Sequence, residues 1–184
     1  MTQVVQRYFP TNLSQSNDHT LDVSSLRAAF HHMLGNLSKL LDKAQAHADA
    51  KKFDSAVLVQ SRLAPDMLAL AKQVQIACDT AKFACARLSG QTAPKNDDTE
   101  TTLAQLQARI ASTVDFVKTM TPALLDGTEE REITMKVGGN DVTFAGAQYL
   151  LGFVYPNLYF HITTAYALLR HNGVELGKRD FLGG

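Results

Sequence analysis

Four stretches of this chain carry mainly apolar residues at gaps of four and three, and in the first three stretches the two gaps alternate without a break. A helix returns to the same face every 3.6 residues, so each stretch describes one buried stripe along one rod. The first stripe reads Leu26, Phe30, Met33, Leu37, Leu40, Ala44, His47 and predicts a helix over 25–50, capped by Ser24 or Ser25. The second reads Leu63, Met67, Leu70, Val74, Ala77, Ala81, Ala84, Leu88, and its three alanines invite a close neighbour. Asp54 and Pro65 divide that region into a short helix over 55–63 and a long one over 65–88, with the proline in a first turn. The third stripe, Leu103, Leu106, Ile110, Thr113, Val117, Met120, predicts a helix from near Thr99 to Thr121–Pro122. The fourth, Leu150, Val154, Leu158, His161, Ala165, Leu168, predicts a helix over 146–171 that ends at Gly173. Pro156 should kink it and free the carbonyl of Gly152.

The period changes only once. Ile133, Met135 and Val137 alternate with polar residues, Gly138-Gly139-Asn140-Asp141 supplies turn chemistry, and Val142 and Phe144 alternate again. This is the pattern of a β-hairpin. A lone hairpin is marginal in water, so it should lie on the bundle, over one end. The expected fold class is all-α: a single four-helix bundle with a small β-hairpin between the third and fourth helices. Residues 1–24 read as an N-terminal arm, which Val4, Val5, Tyr8 and Phe9 would pin to the surface, and residues 25–184 as the bundle domain.

With 184 residues, 45% hydrophobic and 20% charged, the chain is large enough for a proper core. Its 18 basic and 18 acidic residues cancel, and no Lys/Arg block exceeds a pair. That balance argues against a main role on nucleic acid or on an anionic membrane. Cys78 and Cys85 lie two helical turns, roughly 10 Å, apart, too far for a disulfide between them. They read as small buried residues in a reducing compartment. No apolar run reaches transmembrane length and no secretory signal is legible at the N-terminus, so a cytoplasmic location is expected.

His161 is the residue most able to carry chemistry. A polar ring on the inward stripe of the fourth helix needs a partner. It is either a structural histidine bonded to a neighbour or a general base, general acid or metal ligand in a bundle cavity. Asp79 and, four residues earlier on the same side, Gln75 are the candidates to orient it or to bind a polar ligand; each would otherwise be a solvated flank. Asn36 in mid-helix, His47 at the end of its stripe and Tyr166 complete the candidate ligand-binding set. No second histidine or carboxylate stands three or four residues from His161, so spacing offers no metal pair. Gly-x-Ser-x-Gly and phosphate-loop motifs do not occur.

Three blocks carry a family likeness. They are Met33-Leu-Gly-Asn-Leu-Ser-Lys-Leu-Leu-Asp-Lys-Ala44; Arg62-Leu-Ala-Pro-Asp-Met67 with Gln73-Val-Gln-Ile-Ala-Cys-Asp79; and Pro156-Asn-Leu-Tyr-Phe-His161 with Arg170-His-Asn-Gly173 and Gly177-Lys-Arg-Asp-Phe-Leu182. In this order they resemble a bacterial and fungal domain-of-unknown-function family of the DinB/YfiT-like four-helix-bundle superfamily, over residues 26–183. The resemblance implies an up-down-down-up bundle, often paired as a homodimer. Many superfamily members hold a divalent metal with one histidine on the second helix and a His-x-x-x-His pair on the fourth. Here His161 matches one of that pair, Ala165 stands at the other, and Gln75 falls where the second-helix histidine would.

The expected function is therefore metal-independent chemistry on a small molecule: acid–base catalysis or isomerisation in a polar pocket around His161, Gln75 and Asp79, with the hairpin as a lid. No cofactor is expected. The alternatives are a non-catalytic small-molecule-binding dimer, and a zinc- or nickel-dependent hydrolase or transferase as in the wider superfamily.

Overall fold

The computed structural model describes residues 23–184. The expected arm, with Val4, Val5, Tyr8 and Phe9, lies outside the described residues. Helix α1 (Val23–Lys51) follows the first stripe, with Ser24 and Ser25 inside it rather than capping it. A short α2 (Ala56–Gln60) follows, opened by Asp54, whose carboxylate accepts from the Ala56 amide at 2.9 Å. Then come α3 (Leu70–Ser89), α4 (Leu103–Lys118), a single turn α5 (Pro122–Leu125), the hairpin β1 (Glu132–Val137) and β2 (Asn140–Ala145), and a turn α6 (Gly146–Gln148). A π-helical stretch, Tyr149–Val154, leads into α7 (Tyr155–His171), and α8 (Lys178–Leu182) closes the chain.

The stripes are buried almost throughout, from Leu26, Phe30 and Leu37 on α1 to Val154, Leu158 and Leu168 on α7. Their packing gives the ring order α1–α4–α3–α7. Cross-helix pairs set the directions. Gln107 on α4 reaches Asp42 on α1, while Arg27 and His31 share a groove with Val117 and Lys118, so α1 and α4 run antiparallel. Gln73–His161, Thr80–Asn157 and Arg87–Tyr149 show α3 antiparallel to the α7 rod. Phe30 meets Tyr155 and His47 meets Gly173, so α1 and α7 run parallel. The bundle is therefore wound up-down-down-up. The connection 90–102 has to retrace the 20 residues of α3, about 30 Å.

Three local expectations are corrected. Helix α3 begins at Leu70, not Pro65, because residues 61–69 form a turn of their own. The Leu70 amide donates to the Ser61 carbonyl at 3.0 Å, and the Arg62 guanidinium holds the Met67 carbonyl. Ala64, ahead of the proline, is steered away from helical angles, and Leu63 is left exposed. Helix α4 begins at Leu103, not Thr99, because Thr102 and Gln105 form a capping box, a T-x-x-Q signal present in the sequence. The rod expected over 146–171 as one helix kinked at Pro156 is instead a turn, a π-helical stretch and an α-helix. The preceding turns widen to π geometry, and the Tyr155 amide donates to the Leu150 carbonyl five residues back.

The hairpin forms with Ile133 opposite Phe144 and Met135 opposite Val142, and its turn is tighter than the expected Gly138-Gly139-Asn140-Asp141: only Gly138-Gly139, both with positive φ, lie between the strands, while Asn140 and Asp141 pair with Val137 and Lys136. Ile133, Val142 and Phe144 are buried, and Phe144 packs with Tyr149 and Phe153. Arg131 donates to the Leu88 carbonyl at 2.6 Å, which pins the hairpin over the C-terminal end of α3. Gly146 is required where the backbone doubles back: a Cβ there would lie 2.1 Å from the Thr128 carbonyl oxygen.

Candidate functional site

His161 sits on α7, 8% exposed, with Nδ1 2.7 Å from Oε1 of Gln73 on α3. The direction of that bond follows from the far end of the amide. Gln73 Nε2 donates to the Leu68 carbonyl at 3.0 Å, so Oε1 is the acceptor and His161 Nδ1 carries the hydrogen. Burial holds the imidazole below its ordinary pKa of 6.5, in the neutral form. Nε2 then bears a lone pair and has no hydrogen-bond partner among the described residues. The exposed Phe160 ring stands edge-on to the imidazole at 5.2 Å.

The expected partners, Gln75 and Asp79, are elsewhere. Gln75 is only two residues from Gln73, but that is about 200° of helical turn, and it faces α4. Gln75 donates to Glu100 at 2.8 Å. Asp79 receives Arg109 of α4 at 2.9 Å and Lys82 at 2.8 Å. Arg109, its side chain 2% exposed, also binds Asp98 at 2.6 Å and Glu100 at 2.9 Å. Lys72 adds a second bond to Asp98 at 2.9 Å. The polar group around Gln75 and Asp79 therefore fastens the 90–102 crossover onto α3 and α4. Burial pushes the carboxyls of Asp98 and Glu100 up, but hydrogen bonds from Lys72 and Arg109 to Asp98, and from Arg109 and Gln75 to Glu100, outweigh it and hold both below the ordinary carboxylate range. Arg109 was not singled out in the sequence. Its signal is a charge one residue before the stripe position Ile110.

The other candidates also separate. Asn36, 3% exposed, donates to the Phe181 carbonyl at 3.0 Å, beside His32, whose Nε2 is 2.9 Å from the Leu182 carbonyl. With Lys43–Asp180, this pair docks α8 onto α1. Tyr166 packs edge-on against Phe181 in the same joint. His47 is half-buried against Phe53 and lines a groove of about 510 Å³ with Lys43, Lys51, Gly173 and Glu175. None of these side chains joins His161. The hairpin is no lid either: Leu88, where it is pinned, is about 22 Å of helix away from Gln73.

The donor set does not fit the superfamily's three-histidine metal centre. Gln73, not Gln75, faces His161 from the second long helix, Ala165 lies one turn after His161, and Nδ1 is engaged by the glutamine. Among the described residues no group of three or more His, Cys, Asp or Glu is placed to hold a metal ion. No helix among them is long and apolar enough to cross a membrane.

An up-down-down-up bundle with a hairpin before its last rod is a DinB-like fold. The crystal structure of a DinB family member protein from Shewanella denitrificans matches it with a TM-score of 0.77 and 48% sequence identity, over 86% of this chain and 89% of that one. The chain belongs to the family described as a domain of unknown function (DUF1993), whose model matches residues 24–182. No curated protein matches the chain.

Proposed function

We propose that this DinB-like protein acts on a small organic molecule by metal-independent acid–base chemistry, with His161 as the base. One observation carries the reading: the Gln73 amide, anchored at Leu68, fixes the neutral tautomer whose Nε2 lone pair is uncommitted. A base needs a free lone pair at working pH, and burial of the ring supplies it. The proton leaves a substrate C–H, O–H or N–H bond for Nε2, and the electron pair stays on the substrate. A neutral glutamine orients the ring but does not stabilise an imidazolium as a carboxylate would. The proton therefore returns within the same turnover, as in an isomerisation.

A second reading, a non-catalytic binding protein, is favoured by the diversion of Asp79 to Arg109 and Lys82, which removes the second proton carrier expected from the sequence. A homodimer belongs to either reading, with the exposed Leu151 and Tyr159 of the rod that ends in α7 available to a second copy. A cytoplasmic location is part of the proposal as well and is supported by two free cysteines.

The test is to expose the protein to a cell extract and identify retained molecules by native mass spectrometry, with His161→Ala in parallel. Each retained molecule is then incubated with the wild-type protein in D₂O. A molecule lost with His161→Ala that takes up deuterium under wild-type protein supports catalysis. One lost with the variant but unchanged in D₂O supports the binding reading. Retention unaltered by His161→Ala sinks both.

A further inference from the structure

A groove of about 510 Å³ runs along the last turns of α1 and is walled on its other side by residues 173–175, which leave α7. That volume suits a small molecule. His161 lies ten residues, about 15 Å of helix, before the end of α7, so the groove is a separate place. His47 stands in its middle. The ring is held edge-on against Phe53 at 5.8 Å, and neither nitrogen has a hydrogen-bond partner among the described residues. Gly173, suited to glycine by its φ of +87°, also leaves the ring open. A Cβ there would lie 3.7 Å from Cε1 and Nε2, so any side chain would cover that edge.

Opposite charges flank the ring. Lys51 follows one turn later on α1, about 6 Å along the axis. Glu175 lies on the other side: the chain passes Gly173 beside His47 and runs back to Asp180, which meets Lys43 one turn before His47. Lys43 is engaged by Asp180, but the exposed side chains of Lys51 and Glu175 pair neither with each other nor with any other described residue. Between them the imidazole offers one donor and one acceptor nitrogen. Lys43 to Lys51 spans eight residues, about 12 Å, and the small Ala46 and Ala50 leave the floor between clear. A simple anion would meet Glu175, and a simple cation would meet Lys51. A molecule with both charges, one at each end, satisfies the two. We propose that this groove binds a short zwitterionic peptide, its carboxylate on Lys51, its ammonium on Glu175 and a peptide group on His47. Three extended residues cover about 10 Å, which fits the length available.

The probes are triglycine, triglycine amide, which lacks the carboxylate, N-acetyltriglycine, which lacks the ammonium, and 8-aminooctanoate, which keeps both charges at the same chain separation without peptide groups. Affinity is read by NMR titration of the full chain at neutral pH and low salt, on the signals of Ala46, His47 and Ala50. Triglycine should bind tightest. Each lost charge should cost about threefold, since both protein charges are exposed, and the steps should shrink in high salt. Lys51→Gln should erase only the difference between triglycine and its amide, and Glu175→Gln only that between triglycine and its N-acetyl form. Both positions are exposed, so the fold tolerates these changes. His47→Phe keeps the ring and should weaken triglycine but not 8-aminooctanoate. His161→Ala should change none of these affinities. Equal affinity for all four probes, no shift up to the solubility of triglycine, or charge steps that survive Lys51→Gln and Glu175→Gln overturns the proposal. If 8-aminooctanoate matches triglycine and His47→Phe has no effect, the peptide assignment is wrong. Loss of triglycine binding with His161→Ala places the ligand elsewhere and also overturns it.

Discussion

Arg109→Met tests whether the crossover 90–102 is held by charge. Methionine keeps most of the stem that fills the space beside Ile110 but removes the donors that reach Asp79, Asp98 and Glu100. Truncating one partner of a buried ion pair costs about 3–5 kcal/mol. Asp79 and Asp98 are 27% and 37% exposed at the side chain and would regain water, which places the loss at the lower end, about 3 kcal/mol. For a domain of this size each kcal/mol moves the midpoint by about 2–4 °C, so thermal unfolding followed by circular dichroism should fall by roughly 6–12 °C at pH 7. The acid limb is the more specific readout. Asp98 and Glu100 titrate below their ordinary range when folded. The unfolded chain therefore binds more protons across that interval, and stability present above the ordinary carboxylate values is lost as pH falls through the folded ones. Arg109→Met should flatten this limb. A midpoint within 2 °C of wild type (about 1 kcal/mol or less), together with an unchanged acid limb, would refute the clamp.

Three further outcomes follow from single residues. The His161 ring should titrate below 6.5 in the folded protein, read by ¹⁵N-histidine NMR. Stability should accordingly drop as pH falls from 6.5 toward that folded value, a slope that disappears in His161→Gln. Gly146→Ala forces a Cβ to within 2.1 Å of the Thr128 carbonyl oxygen and should cost about 3 kcal/mol in urea unfolding; a loss below about 0.5 kcal/mol would mean the backbone yields freely there. Burial pushes the thiols of Cys78 and Cys85 up to about 12, so a thiol reagent at pH 8 should label neither in the native protein and both after unfolding.

The rods and the hairpin were legible because their signal is periodic and local. Leu26 to Ala44 and Leu103 to Met120 can satisfy a four-three repeat in one way only, and Gly138-Gly139 between alternating runs has few uses besides a tight turn. The ends of the rods were less so: Pro65 suits a first helical turn but here lies in a turn closed by the Leu70 amide on the Ser61 carbonyl, and the start of α4 is set by the hydrogen-bonded pair Thr102 and Gln105 rather than by the edge of the polar loop. The partner of His161 was half legible. Gln73 falls three residues after Leu70 and four before Ala77, on the shoulder of the stripe, whereas Gln75 falls on the far side; counting from the stripe selects Gln73. The fate of Asp79 was not legible at all. It depends on Arg109, 30 residues on, and on a crossover that lays Asp98 and Glu100 against the same guanidinium. No local pattern encodes that meeting, because it exists only once α3 and α4 run parallel and the chain between them is drawn back along their length. The uncommitted lone pair at His161 has the same dependence. It requires Gln73 to be turned by the Leu68 carbonyl, and Leu68 lies in a turn whose sequence, Leu63 to Leu70, carries helical spacing.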